Sequence, residues 1–142
     1  MNWKELAMIS HYQTAVAIKN QLTQGNIEES TTGIEELIDA LSRSDRRALR
    51  SQLTRLMMYI IKWQIQPQYR SRSWLITIEQ ARIEIEEILD EEPHLKTQLA
   101  QLWDKCFKAA NRLAEKETGI KSTLNQLTSE AVFQTEYSLE GV

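Results

Sequence analysis

The stretch LRSQLTRLMMYIIKWQIQP, residues 49–67, decides the fold of this 142-residue chain. Its large apolar side chains recur at steps of three and four positions, which is the spacing of one face of an α-helix. Basic side chains lie between them and would occupy the opposite face. Pro67 cannot continue a helix, so the helix is expected to end just before it. The apolar face consists of Leu49, Leu53, Leu56, Met57, Ile60 and Trp63, and the opposite face carries Arg47, Arg50, Arg55 and Lys62.

The same helical spacing extends in both directions from this stretch. Ser42 or Ser44 can cap the helix that contains it, and Ser73 the next one. Gly25 and Gly119 fit helix C-terminal stops. We predict an all-α, single-domain bundle of four to five amphipathic helices with a short C-terminal helix or tail. One domain would span 1–142, with its core at about 10–120 and a weaker segment at 121–142. The predicted helices are a short turn at 3–9, then 11–24, 27–41, one from 42 or 44 to just before 67, 74–92, 93–118 and a short helix at 129–134. Thr31, Thr32 and Gly33 weaken the first half of the helix over 27–41.

The stretch KWQIQPQYRSRSW, residues 62–74, reads as the corner of a helical hairpin. Trp63 and Trp74 fall on the apolar faces of the two helices, so burial explains them better than stacking on nucleic-acid bases. Pro67 stops the first helix. Trp103 is expected to be a further buried anchor, on the apolar face of the last long helix.

Charge is divided unevenly along the chain. The segment 43–82 contains nine basic and two acidic residues, a net charge of +7, whereas the rest contains eight basic and eighteen acidic residues, a net charge of −10. Such a division indicates either a binding surface or helices that pair with each other, and the second interpretation is favoured. The first would give a nucleic-acid-binding surface in which arginines contact phosphates and a tyrosine stacks on a base. Its residues would be Arg46, Arg47, Arg50, Tyr69, Arg70 and Arg72.

Few residues fit a catalytic or metal centre. Cys106 is the only cysteine and lies on an apolar helix face, where a buried, unreactive thiol is expected. His11 and His94 are the only histidines, and Pro93 interrupts the spacing between Glu91 and His94 that a carboxylate-bridged metal site needs. We therefore predict no cofactor and no metal. Without a signal peptide or an apolar run of membrane-spanning length, a cytoplasmic location is predicted.

Several stretches together resemble a bacterial all-helical family known as domain of unknown function 29. They are IEELIDAL from residue 34, RSDRRAL from 43, IIKWQIQP from 60, RSRSW from 70 and ETGI from 117, so the resemblance covers roughly residues 34–120. The family often has a histidine where this chain has Tyr59, and two adjacent glutamates where it has Glu36 and Leu37. The resemblance implies an all-helical fold and leaves activity open.

Three functional hypotheses follow from the sequence. The leading one is a non-catalytic cytoplasmic protein that acts through protein contacts, with itself or another protein. Ile76 and Ile83 point away from the main apolar face of their helix, so either the C-terminal tail, which is slightly favoured, or a second subunit in a homodimer would cover them. The alternatives are a nucleic-acid-binding regulator that uses the basic 43–72 surface, and an enzyme with a polar pocket near Glu36, Tyr59 and Arg72. No membrane partner is expected.

Overall fold

In a computed structural model, residues 1–139 are described, and within them the chain is helical without a β-strand. The all-α prediction is therefore confirmed. The chain divides into two compact units, Met1–Arg46 and Arg47–Val142, while the predicted domain and core boundaries stay a prediction. No helix among residues 1–139 combines the length and the apolarity that crossing a membrane requires. The helices are α1 (Trp3–Ile9), α2 (His11–Thr23), α3 (Ile27–Ile65), α4 (Arg72–Glu91), α5 (Lys96–Thr118) and α6 (Ser129–Phe133), with 3-10 turns at Pro67–Tyr69 and Pro93–Leu95.

The predicted junction at Ser42 or Ser44 is wrong, because α3 continues without a break for 39 residues. Neither glycine nor proline occurs between Gly33 and Pro67, so nothing forces the backbone out of the helical conformation. Asp39 and Arg43, one turn apart, form an ion pair beside the expected junction. The two serines are exposed positions within the helix, where a capping residue type is tolerated.

In the first unit, α1 and α2 pack closely against α3 at Gly33. A methyl group there would lie 2.7 Å from Ile18 Cγ1 on α2 and 3.0 Å from the Trp3 ring on α1. The Trp3 indole is buried and donates its Nε1–H to Glu29 Oε2 on α3 over 2.7 Å. Glycine therefore weakens the helix locally but allows three helices to meet.

In the second unit α3 and α5 run in the same direction. The Cys106 thiol is 3.7 Å from the Arg50 carbonyl oxygen, and Lys62 Nζ is 2.8 Å from Glu117 Oε1, with sequence separations of 56 and 55 residues. Because the sequence separation between contacting residues is nearly the same at both points, the two helices are parallel. Helix α4 comes between them in the chain, after the turn at Pro67–Tyr69. The buried core includes Leu49, Leu53, Leu56, Met57, Ile60, Ile78, Ala81, Ile85, Leu102, Phe107 and Ala110.

The ends of α4 and α5 differ slightly from the sequence prediction. Ser71, not Ser73, caps α4 by accepting a hydrogen bond from the Trp74 amide. Pro93 opens a 3-10 turn, so α5 begins three residues later, at Lys96. Gly119 ends α5 in the left-handed conformation, with φ of 72°.

The C-terminal segment is tied to this unit by hydrogen bonds and aromatic contacts. The Trp103 indole donates to the Leu127 carbonyl over 2.9 Å, and Tyr137 packs edge-on against Trp63. Arg82 donates to the carbonyl oxygens of Val132 and Thr135, both over 2.8 Å. Although weaker packing is expected from the sequence beyond residue 120, Leu127 and Val132 are buried in the core.

Candidate functional site

The hairpin corner directs one of its two arginines inward. Arg70 Nε donates to the Trp63 carbonyl over 2.8 Å, and its guanidinium lies 4.9 Å from the centre of the Trp63 ring. The bond satisfies a carbonyl in the last turn of α3, where the helix provides no amide partner. Tyr69 and Arg72 are exposed, the former at 63 %. Arg70 is thus engaged within the protein, whereas its two neighbours face solvent.

The predicted tryptophan anchors differ in burial. Trp63 is only 4 % exposed, whereas Trp74 and Trp103 are partly buried and pack against the core. Pro67 is exposed and forms the first residue of the 3-10 turn after α3.

Lys62 is buried, although the sequence places it on the polar side of its helix. Its ammonium lies 4.4 Å from the centre of the Tyr59 ring and 4.6 Å from that of the Trp74 ring, and it pairs with Glu117. Aromatic faces attract a cation, which offsets part of the loss of hydration. Lys62, Tyr59, Trp74 and Glu117 form what we call the Lys62 cluster. It joins α3, α4 and α5, and with Lys62 3 % exposed it offers no open nucleophile to solvent.

The Lys62 cluster brings together three of the stretches that carry the family resemblance: IIKWQIQP, RSRSW and ETGI supply Lys62, Trp74 and Glu117. A family model described as "Domain of unknown function DUF29" matches residues 11–141. The chain belongs to the DUF29 family. No curated protein and no solved structure gives a significant match. The family description assigns no activity, and two surfaces of this DUF29 chain stand out.

One such surface is a groove between the parallel helices α3 and α5, with a volume of about 530 Å³. Its wall on α3 carries three arginines, and its wall on α5 carries a lysine and apolar side chains. Among the residues that the structure describes, no carboxylate lines this groove, and none of the four cations forms an ion pair. We call it the basic groove; its main lining residues are Arg47, Arg50, Arg55, Met58, Lys105, Cys106, Ala109 and Leu113.

Cys106 lies at the floor of the basic groove and is 1 % exposed. Burial raises the pKa of its thiol, while a hydrogen bond with Thr54 and the charges of Arg50 and Lys105 partly oppose that shift. A protonated, enclosed thiol is a poor nucleophile. Cys106 is therefore poorly suited to act as a nucleophile.

A second surface is a row of exposed apolar side chains on the first half of α3. The row consists of Ile27, Ile34, Ile38 and Leu41, which are 62 %, 40 %, 62 % and 40 % exposed. Steps of seven, four and three residues place them on one helical face. We call this row the α3 stripe. On α4, Ile76 and Ile83 are also exposed, at 51 % and 44 %, so the described part of the C-terminal segment leaves them largely uncovered.

The residues of the predicted basic surface are divided between the two units. Arg46 is an exposed residue of the first unit, whereas Arg47 and Arg50 line the basic groove of the second. Glu36 belongs to the first unit, and Tyr59 and Arg72 to the second. Nucleic-acid binding and an enzymatic pocket at these residues stay predictions.

Sequence reasoning missed the contribution of α5 to the basic groove. No sequence pattern gave Lys105 or Leu113 a functional role, although both line the groove and Leu113 is 48 % exposed. The spacing of Arg47, Arg50 and Arg55 along α3 indicated the basic wall of the groove. The partner helix could be found only from its packing.

Proposed function

We propose that this DUF29 chain is a non-catalytic protein that acts through protein–protein contacts, and that the α3 stripe joins two copies of the chain. The α3 stripe is the observation that carries the proposal. A single exposed isoleucine is ordinary on a protein surface, but four large apolar side chains along one helix face mark an interaction surface. Ile27, Ile34 and Leu41 follow each other at seven-residue intervals, the repeat of a helix seam that packs against another helix.

A second copy of the chain suits the α3 stripe as its occupant, because an apolar face that is the same on both partners can pack against itself. An antiparallel arrangement places the same stripe on both sides of a two-fold axis, as a closed dimer requires.

The oligomeric state tests this proposal. Size-exclusion chromatography with light scattering should give the mass of a dimer for the wild-type chain, and of a monomer for Ile34→Glu/Ile38→Glu, because two carboxylates would enter an apolar seam. The matched control is Ile76→Glu/Ile83→Glu, which makes the same chemical change on α4 and should remain dimeric.

Three results would contradict the proposal. A monomeric wild-type chain at high concentration excludes a stable pair. If Ile76→Glu/Ile83→Glu dissociates the dimer and Ile34→Glu/Ile38→Glu does not, the interface lies at Ile76 and Ile83, as the sequence hypothesis states. A dimer that survives both changes uses another surface. Circular dichroism should confirm that each variant keeps the helical content of the wild-type chain.

A further inference from the structure

The basic groove changes character along its length. Because α3 and α5 ascend together with a separation of 55–56 residues, Arg50 lies level with Lys105 and Cys106, and Met58 lies level with Leu113. The end near Arg47 is therefore cationic, and the far end is apolar. Arg55 lies between them, and its long aliphatic stem can cover apolar surface while the guanidinium faces water.

We propose that the basic groove binds a small anionic amphiphile, a molecule with a carboxylate or phosphate head and an apolar tail. The head would contact Arg47, Arg50 and Lys105, and the tail would lie over Ala109, Met58 and Leu113. Guanidinium groups suit this head because their paired N–H donors match the oxygens of a carboxylate or phosphate.

The size of the groove and its unpaired charge support this ligand class. The volume of about 530 Å³ lies in the range of about 300–1,000 Å³ that is usual for small-molecule sites. Its four cations have no carboxylate partner within residues 1–139, so an anionic head would not have to displace an existing ion pair. Leu113, 48 % exposed, would be covered by the tail.

A polyanion fits the basic groove less well than an amphiphile does. A nucleic-acid strand carries phosphates along its whole length and gains affinity from aromatic side chains on which its bases stack. The groove has no aromatic lining residue among those described, and its far end is apolar. Three of the four cations, Arg47, Arg50 and Lys105, lie toward one end and the other end is apolar, which matches a ligand with one head and one tail.

Isothermal titration calorimetry of the full chain with decanoate and decyl phosphate, below the concentrations at which they form micelles, tests the proposal. Both should bind more tightly than decanol, and comparison of the two identifies the preferred head. Shortening the tail to eight and six carbons should weaken binding by up to about fourfold for each methylene removed. Flat affinity across tail lengths, or equal affinity for decanol, would overturn the proposal.

Substitutions locate the head and the tail. Arg50→Gln/Lys105→Gln should weaken decyl phosphate binding by about tenfold or more, because two charge-assisted contacts are lost. The control Arg72→Gln/Lys121→Gln removes the same charge from exposed positions outside the groove and should leave affinity within about twofold. Leu113→Ser should weaken the dependence on tail length. Equal losses in the groove variant and its control would indicate general charge attraction and refute a built site.

An oligothymidylate titration separates this ligand class from nucleic acid. The amphiphile proposal expects no binding at moderate salt concentration, or binding that Arg50→Gln/Lys105→Gln leaves unchanged. Oligothymidylate binding that this variant abolishes, together with no binding of decyl phosphate, would overturn the proposal in favour of a polyanion. The dimer proposal concerns the α3 stripe and is judged separately by mass.

Discussion

Removing the carboxylate of Glu117 should destabilise the second unit more than removing the lysine that it pairs with. Lys62 Nζ lies 2.8 Å from Glu117 Oε1, and the two side chains are 4 % and 53 % exposed. Glu117→Gln would leave an ammonium group enclosed without a counter-charge. Breaking a fully buried pair in this way costs about 3–5 kcal/mol, but water reaches the Glu117 side. We therefore expect a loss of about 1–3 kcal/mol in the free energy of unfolding.

Lys62→Met provides the comparison. Methionine keeps an unbranched apolar stem among the same neighbours and removes the charge that has to be desolvated. The variant loses the attraction of the ammonium to the Tyr59 and Trp74 rings, worth about 0.5–2 kcal/mol. Because this loss and the relieved desolvation oppose each other, we expect a net change within about 1 kcal/mol. The double variant Lys62→Met/Glu117→Gln should have about the same stability as Lys62→Met alone, because without Lys62 there is no buried charge that needs the Glu117 carboxylate.

Urea unfolding at neutral pH, followed by tryptophan fluorescence, measures these differences. Three of the four tryptophans, Trp63, Trp74 and Trp103, lie in the same unit as the cluster and report on it. Asp104→Asn is the control, because it breaks an ion pair with Lys108 that is exposed on both sides and should change stability by less than about 0.5 kcal/mol. The reasoning is refuted if Glu117→Gln costs no more than this control, or if Lys62→Met is the more harmful of the two.

Three further predictions concern other parts of the chain. Gly33→Ala should lower the free energy of unfolding by about 1 kcal/mol or more in thermal melts, because the new methyl group meets Ile18 and Trp3 and this overpacking outweighs the better helix propensity of alanine. The control Thr32→Ala, at an exposed position, should leave stability nearly unchanged. A Gly33→Ala chain that is more stable than the wild type would contradict the close packing at Gly33. Arg82→Lys should lower the free energy of unfolding by about 2 kcal/mol and speed amide hydrogen exchange around residues 130–135. Lysine cannot reach at once the several carbonyl oxygens to which the Arg82 guanidinium donates. The control Arg72→Lys should change neither quantity appreciably. Burial raises the pKa of the Cys106 thiol, so the stability that the protonated thiol contributes is complete below the pKa of the unfolded chain's thiol and is lost as pH rises through the pKa in the folded protein. Cys106→Ala should therefore flatten the alkaline side of the curve of stability against pH. A curve that the substitution leaves unchanged would count against a raised pKa for Cys106.

Amphipathic spacing located the helices well because it reflects the same periodicity that burial selects. Leu49, Leu53, Leu56 and Ile60 follow one face, and all are buried. The boundary at Ser42 or Ser44 failed for a physical reason. A capping residue type permits a helix to begin, but it does not oblige the preceding helix to end. A glycine with positive φ or a proline does oblige it, as at Gly25, Pro67 and Gly119.

The Lys62 cluster and the basic groove could not be derived from the sequence to the same extent. A lysine is assigned to the solvent side by its charge alone, and only the aromatic rings and Glu117 together make burial tolerable for Lys62. Likewise, the arginines on α3 indicate one wall of a groove. The second wall depends on the parallel packing of α5 and its separation of 55–56 residues, which no local pattern encodes.

The contact between Trp63 and Tyr137 has a consequence for how the second unit is made in the cell. Tyr137 follows Trp63 by 74 positions, and translation at about 5–20 residues per second separates their synthesis by about 4–15 s. Leu127 and Val132 also reach the core late. During that interval the newly made α3 and α4 present apolar surface that a chaperone can recognise. Ribosome-bound chains arrested before residue 127 should therefore be cleaved by protease within α3–α5, whereas chains with residues 1–139 clear of the ribosome should resist cleavage there.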